Sequence, residues 1–339
     1  MEFKKPEDYT KKDFVSNQDI RWCSGCGDYH IHNALTSTWA KLGIPKENFA
    51  VISGIGCSSR FPYYADTFGF HTIHGRAPTV ALGAKLANPD LSVWVITGDG
   101  DALSIGGNHL LHSLRRNPDI NIVLFNNEIY GLTKGQTSPT SQTGIKTKST
   151  PMGSFDAPVK PLPFSVTAGA TFIARVVDTN LPMMREVFQA SSEHKGVSFI
   201  EAYTNCVIFN DGAFASQESR LERKEATLEL KHGEPLIFGK ESNKGIVLDG
   251  MKPKVVIIGE NGITKEDILV HDESSDDICY TYMLANMGGD GFPTPVGILK
   301  KVSKPTYEDQ IIAQQNEAIS KSKPSLQNLL FSSDTWEVK

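Results

Sequence analysis

Residues 91–134, LSVWVITGDGDALSIGGNHLLHSLRRNPDINIVLFNNEIYGLTK, restrict the fold more than any other part of the chain. Leu91 to Ile96 is an apolar run of strand length, rich in β-branched residues. Gly98-Asp99-Gly100-Asp101 ends it. The spacing of Ile105, Leu110, Leu111 and Leu114 predicts a helix that starts near Ser104. Arg115 and Arg116 close that helix, where cations suit its dipole, and Pro118 lies beyond. A second apolar run, Ile122 to Phe125, ends in Asn126-Asn127. A strand, helix and strand of this length favour a parallel pair with a right-handed crossover.

Asp99 and Asn127 fall at the carboxyl ends of the two strands, where open parallel sheets bind ligands. Mg²⁺ takes a few oxygen ligands in octahedral geometry and usually shares them with a phosphate. Gly98 and Gly100 allow close backbone approach, and the free N–H groups of the following helix favour an anion. The unit therefore reads as a site for a diphosphate and its metal. GDG followed by a helix and a strand ending in NN resembles the motif that binds thiamine diphosphate. The resemblance implies Mg²⁺ ligation by Asp99, Asn127 and the main-chain carbonyl of Ile129.

The 339 residues suffice for one large or two modest domains. A net charge of −5 argues against a general nucleic-acid binder. No apolar run approaches the roughly 20 residues of a membrane span. The charged start, MEFKKPEDYTKKDF, is unlike a secretory signal. A cytoplasmic protein with reduced thiols is expected.

Residues 1–20 are polar and expected on the surface. Ile31, Leu35, Trp39 and Leu42 have helical spacing, with Asp28 near the N-cap and Gly43 as the stop. Phe49 to Ile52 reads as a strand, and Pro78 opens a helix to about Ala87. The Thr- and Ser-rich segment 133–163 is long enough to be functional or disordered. A short helix over 165–170, a strand over 172–177, a helix over 182–194 and a strand over 197–204 follow. Residues 216–232 read as a solvated helix face. Residues 254–258 and 278–283 are weak elements, and Pro293, Pro295, Gly297 and Ile298 suggest a turn-rich wrap.

Cys23, Cys26, Cys57 and Cys206 each lie near a glycine-rich or polar turn. Cys57 and Cys206 follow expected strands, so both belong on the sheet edge that carries Asp99 and Asn127. Four thiolates there suit Zn²⁺ or an iron–sulfur cluster. One close pair with two remote singles favours the cluster, because zinc sites usually show two close pairs. A thioredoxin-type redox pair at Cys23 and Cys26 and simply buried thiols are the other readings. Cys279 reads as a buried thiol.

WCSGCGDY, GIGCSSR, HTIHGRA, GDGD with NNEIYGLTKGQTSPTS, and TNC together resemble the β subunit of 2-oxoacid:ferredoxin oxidoreductases over about residues 20–210. The GLTKGQ string is similar to the 2-oxoglutarate members. The resemblance implies an α/β thiamine-diphosphate-binding fold, with a mostly parallel sheet and helices on both faces. Residues 1–212 would bind both cofactors, and residues 213–339 would form a C-terminal extension packed on the core or a partner. It implies one [4Fe–4S] cluster on Cys23, Cys26, Cys57 and Cys206. Cofactor contacts would come from Ile55, Gly56, Ser58, His74, Gly98, Asp99, Gly100, Asp101, Asn127, Ile129, Gly131 and Leu132. Arg60, His74 and Lys134 are the candidate catalytic or substrate residues, since a second substrate carboxylate requires a cation. The implied reaction is the reversible oxidative decarboxylation of a 2-oxoacid, most like 2-oxoglutarate, with coenzyme A and ferredoxin. The activating glutamate would come from an α subunit, in an (αβ)₂ assembly. Pyruvate as substrate, a non-redox thiamine-dependent decarboxylase and a structural zinc subunit are the competing readings.

Overall fold

A computed structural model describes residues 4–289, 291–321 and 325–338. Thirteen strands occur among them. They are β1 (Phe49–Ser53), β2 (Phe68–His71), β3 (Ser92–Gly98), β4 (Ile120–Asn126), β5 (Ile129–Tyr130), β6 (Gln136–Thr137) and β7 (Phe172–Val177). Then come β8 (Ser198–Tyr203), β9 (Thr227–Leu230), β10 (Ile237–Phe238), β11 (Lys244–Asp249), β12 (Lys252–Ile257) and β13 (Thr294–Lys301).

Eight strands form one sheet in the order β2-β1-β3-β4-β8-β7-β13-β9. The first six are mutually parallel. β13 runs antiparallel to β7, and β9 is parallel to β13. The strands read as continuous apolar runs because both faces are covered. Val93 and Val95 face one core, with Ala81, Leu110, Leu114 and Leu284. Trp94 and Ile96 face the other, with Ile31, Leu35, Trp39 and Phe188. Each fully buried Leu, Ile or Phe contributes about 1.5–3 kcal/mol, so the two faces together hold the sheet. β10, β11 and β12 form a separate antiparallel sheet, and β5 and β6 a two-stranded ribbon.

The helices Asp28–Trp39, Ala77–Ala87 and Leu181–Glu193 lie where the periodicity places them. The strands at 172–177 and 198–203 likewise match. Several expectations need correction. The helix expected from Ser104 is two pieces, Asp99–Leu103 and Gly107–Arg116. The first begins directly after β3, because Asp99 and Asp101 place carboxylates in its first turn. Ile105 lies in the break between them and is exposed. The short helix expected at 165–170 spans Pro161–Thr167, earlier because proline suits a first helical turn.

The ends of the chain are more integrated than their composition suggests. Phe14 is fully buried against Trp39 and Phe49, so the N-terminal stretch is not merely a surface cover. Residues 294–301 form β13 rather than a turn-rich wrap, despite Pro295 and Gly297. A register shift between Ile298 and Lys300 takes up the irregularity. Within 216–232 the buried Leu228 and Leu230 belong to β9, not to a solvated helix. Cys279 is exposed, not buried. Among the described residues no helix is long and apolar enough to cross a membrane.

Candidate functional site

The carboxyl ends of β1, β3 and β4 open into one cleft. Its walls include Ile55, Gly56, Ser58, His74, Gly98, Asp99, Gly100, Asp101, Asn127, Ile129, Gly131 and Leu132. These are the twelve positions expected to contact the cofactor, drawn together from four separate stretches of chain. Asp28, Cys57, Phe125, Tyr130 and Thr133 complete the lining.

Asp99 is buried, and burial pushes its carboxyl up to about 6. The hydroxyls of Ser138 and Thr140 oppose that shift by donating to Oδ2, each at 2.6 Å. Asn127 accepts the N–H of Ile129 at 3.1 Å. Between them Glu128 has φ 55°, in the left-handed region, which costs a side-chain-bearing residue about 1–3 kcal/mol. That turn puts Asn127 and Ile129 on the cleft, while Asn126 and Glu128 line a second cavity with Arg175 and Glu201. Burial pushes the Glu128 carboxyl up to about 7. Among the described residues no glutamate lines the cleft itself.

Asp101 lines the cleft but spends its carboxylate on the chain. Oδ1 accepts from the N–H of Gly75 at 2.7 Å and of Ile55 at 3.1 Å, and Oδ2 from the Thr97 hydroxyl at 2.7 Å. His74 Nδ1 stands 2.7 Å from the same Oδ1, at ion-pair distance but off hydrogen-bonding geometry. The loops after β1 and β2 are thereby fastened to the end of β3. Two glycines are required by close approach. A Cβ on Gly54 would lie 1.8 Å from Asp101 Oδ2, and one on Gly100 would lie 2.2 Å from the Tyr130 ring.

The four cysteines gather at one side of this cleft. A Cβ on Gly131 would lie 3.5 Å from Cys206 Sγ and 3.6 Å from Cys57 Sγ, so both sulfurs face one point. Cys23 and Cys26 precede the helix Asp28–Trp39, and Gly27 donates to the Asn205 carbonyl beside Cys206 at 3.2 Å. Burial pushes the Cys57 thiol up to about 12, with Asp28, Cys206 and Cys23 adding to the shift and Arg60 opposing it. Burial also pushes Cys26 up, helped by Asp28, Cys57 and Cys206. All four thiols are free. Among the described residues no three His, Cys, Asp or Glu side chains close on a single-ion site. Trp22 Nε1 donates to the Cys57 carbonyl at 2.7 Å, which fixes the turn that presents that sulfur.

Arg60 and Lys134 stand outside the cleft lining. Arg60 is half-buried after Cys57, and Lys134 is exposed in a turn with φ 78°. Tyr130, Asp28, Ser138 and Thr140 are not among the expected site residues. The string NNEIYGLTKGQTSPTS holds three of them, and only the folded loop brings its hydroxyls to Asp99.

Residues 54–202 match the family model described as thiamine pyrophosphate enzyme, C-terminal TPP binding domain. The chain is 48% identical over 332 residues to the 2-oxoglutarate oxidoreductase subunit KorB of Mycobacterium tuberculosis, covering 96% of this chain and 88% of that one. It is 41% identical over 199 residues to the 2-oxoacid:ferredoxin oxidoreductase 2, subunit beta, of Aeropyrum pernix, covering 59% and 64%. Among solved structures, the 2-oxoglutarate:ferredoxin oxidoreductase from Magnetococcus marinus, with 2-oxoglutarate, coenzyme A and succinyl-CoA bound, superposes with a TM-score of 0.76. That match has 33% identity and covers 96% of both chains. With its parallel sheet, its GDG–NN cleft and two relatives that each span 96% of it, the chain belongs to the 2-oxoacid:ferredoxin oxidoreductase family as a β subunit, most like the 2-oxoglutarate members.

Proposed function

We propose that the chain is the β subunit of a 2-oxoglutarate:ferredoxin oxidoreductase. The reaction converts the 2-oxoacid and coenzyme A to succinyl-CoA and CO₂, with two electrons leaving singly to ferredoxin, and it runs in both directions. The observation that carries this reading is that Asp99, Asn127 and Ile129 line one cleft with Cys57, that Cys57 and Cys206 both face Gly131, and that Cys23 and Cys26 lie within electrostatic reach of Cys57.

Asp99 Oδ, Asn127 Oδ1 and the Ile129 carbonyl would hold Mg²⁺, and the turns at Gly56 and Gly98–Gly100 would take the diphosphate. A buried carboxylate without a cation is costly, and a divalent ion at Asp99 relieves that cost. Thiamine diphosphate, when bound, supplies the nucleophilic carbon and the electron sink for decarboxylation. Cys23, Cys26, Cys57 and Cys206 would hold a [4Fe–4S] cluster, whose iron favours the thiolate form that burial opposes. His74, held near Asp101, would orient cofactor or substrate. Arg60 and Lys134 are the cations available for the distal carboxylate of 2-oxoglutarate.

An α subunit would supply the activating glutamate, since none lines the cleft among the described residues, and the assembly would be a cytoplasmic (αβ)₂. Purified anaerobically with that partner, the protein is expected to reduce a viologen dye only with coenzyme A and 2-oxoglutarate both present. Equal or better turnover of pyruvate would overturn the substrate assignment. About four irons per chain with matching sulfide are expected, and zinc without sulfide would overturn the cluster.

A further inference from the structure

Asp99 is held from behind by a loop that no part of the reading above uses. Ser138, Thr140 and Ser141 belong to a residue class that normally faces water, yet all three are buried. Ser138 and Thr140 both donate to the same oxygen, Oδ2 of Asp99, at 2.6 Å. That distance lies in the range of charge-assisted O–H···O⁻ bonds. Thr140 Oγ1 also stands 3.0 Å from Asn126 Oδ1, but its single proton goes to the nearer carboxylate.

The turn that carries these hydroxyls is itself fixed. The Ser138 N–H donates to Ser141 Oγ at 2.8 Å, and the Ser141 hydroxyl donates to the Glu128 carbonyl, between Asn127 and Ile129. The Val159 N–H donates to the Pro139 carbonyl at 2.8 Å from the far side of the loop. One turn thus touches both halves of the proposed metal site, reaching Asp99 across 39 and 41 residues of sequence and Glu128 across 13.

We propose that Ser138 and Thr140 are positioning residues: by pinning Oδ2 they reserve Oδ1 as the single carboxylate donor to the metal, and so select Mg²⁺ over a larger cation. The inference rests on the proposed Mg²⁺–thiamine diphosphate site. Mg²⁺ demands near-octahedral geometry, whereas Ca²⁺ accepts bidentate carboxylates and irregular coordination. An Asp99 with both oxygens free could chelate, which serves Ca²⁺ and not Mg²⁺.

The test uses the complex assembled with its α subunit and stripped of metal, with thiamine diphosphate binding followed by calorimetry during Mg²⁺ and, separately, Ca²⁺ titration. Thr140→Val keeps the shape and removes the hydroxyl. Its Mg²⁺ half-saturation is expected to rise about tenfold, the lower end for loss of an outer-shell partner. Ca²⁺ half-saturation should move much less, so the ratio of the two changes. Ser138→Ala should change it in the same direction, and Thr140→Ser should restore it. A general loosening of the loop would weaken both metals alike, and that result, or unaltered Mg²⁺ affinity in Thr140→Val, would overturn the proposal alone. Wild-type complex that binds thiamine diphosphate without any divalent cation would overturn the underlying site and the proposal together. Should Thr140→Val fail to assemble, Ser138→Ala decides by the same ratio.

Discussion

A side chain's neighbours decide what it does, and two acidic residues show this. Asp99 is buried, bonded by hydroxyls and directed at the cleft, so Asp99→Ala is expected to abolish retention of thiamine diphosphate. A fluorometric assay of the purified complex checks this, with far-UV circular dichroism unchanged. Glu218 is half-buried, and its carboxyl is pushed up to about 7 by burial first, then by Asp178 and Asp211. A carboxyl that holds its proton better in the folded chain lowers stability as pH climbs from its unfolded value, about 4.3, toward about 7. Its favourable term is whole below that window and lost above it. Glu218→Gln is therefore expected to raise the Tm of the complex at pH 8 and leave it nearly unchanged at pH 4.5; an equal shift at both would contradict the assignment. Arg60 stands after Cys57 and outside the cleft wall. If it grips the distal carboxylate, Arg60→Ala raises the KM for 2-oxoglutarate about tenfold, or about 1.4 kcal/mol, with pyruvate turnover little changed.

Among elements, the β3–helix–β4 unit was legible because its signals are local: two apolar runs, turn glycines and a cationic helix end. Its inner break was not legible. Ile105 continues the apolar spacing on paper, yet it sits exposed between two short helices. β9 and β13 were harder still. Their pairing partners are each other and β7, far along the chain, and Pro295 and Gly297 mimic a turn. The short β5 depends on Gly100, because the Tyr130 ring lies where a side chain would start and its hydroxyl donates to the Gly100 carbonyl at 3.0 Å. Gly100→Ala is expected to cost about 1–3 kcal/mol of overpacking and to push Tyr130 into the cleft. Thiamine diphosphate affinity should fall, and the pair Gly100→Ala with Tyr130→Ala should recover part of it; no recovery would mean the clash lies elsewhere.

At the scale of the molecule, the cleft opens beside exposed apolar side chains. Ile73 is 79% exposed and Phe68 65%, with Tyr63, Phe70 and Ile105 also more than half exposed. β2, which carries both phenylalanines, is an edge strand of the main sheet. Exposed apolar side chains, where they form a contiguous patch, commonly mark an interaction site. Ile73→Asp is expected to weaken association with the α subunit, read by size-exclusion chromatography, while the isolated chain keeps its secondary structure. Unchanged complex formation would remove this edge from the interface.

The sequence by itself determined the fold class, the places of Asp99, Asn127 and Ile129, and the candidacy of the four cysteines. The strand–helix–strand unit rests on short-range periodicity and on turn residues, which act within a few positions of one another, whereas the ligand role of Ile129 and the grouping of the four cysteines rest on resemblance to the family. Only the tertiary structure decided that Ser138 and Thr140 reach Asp99, that Asp101 ties two loops to β3 and that Phe14 and β13 belong to the cores. Each of these depends on groups brought together from distant parts of the chain. A hydroxyl or a phenyl ring carries no mark of its eventual partner until the sheet has closed around both.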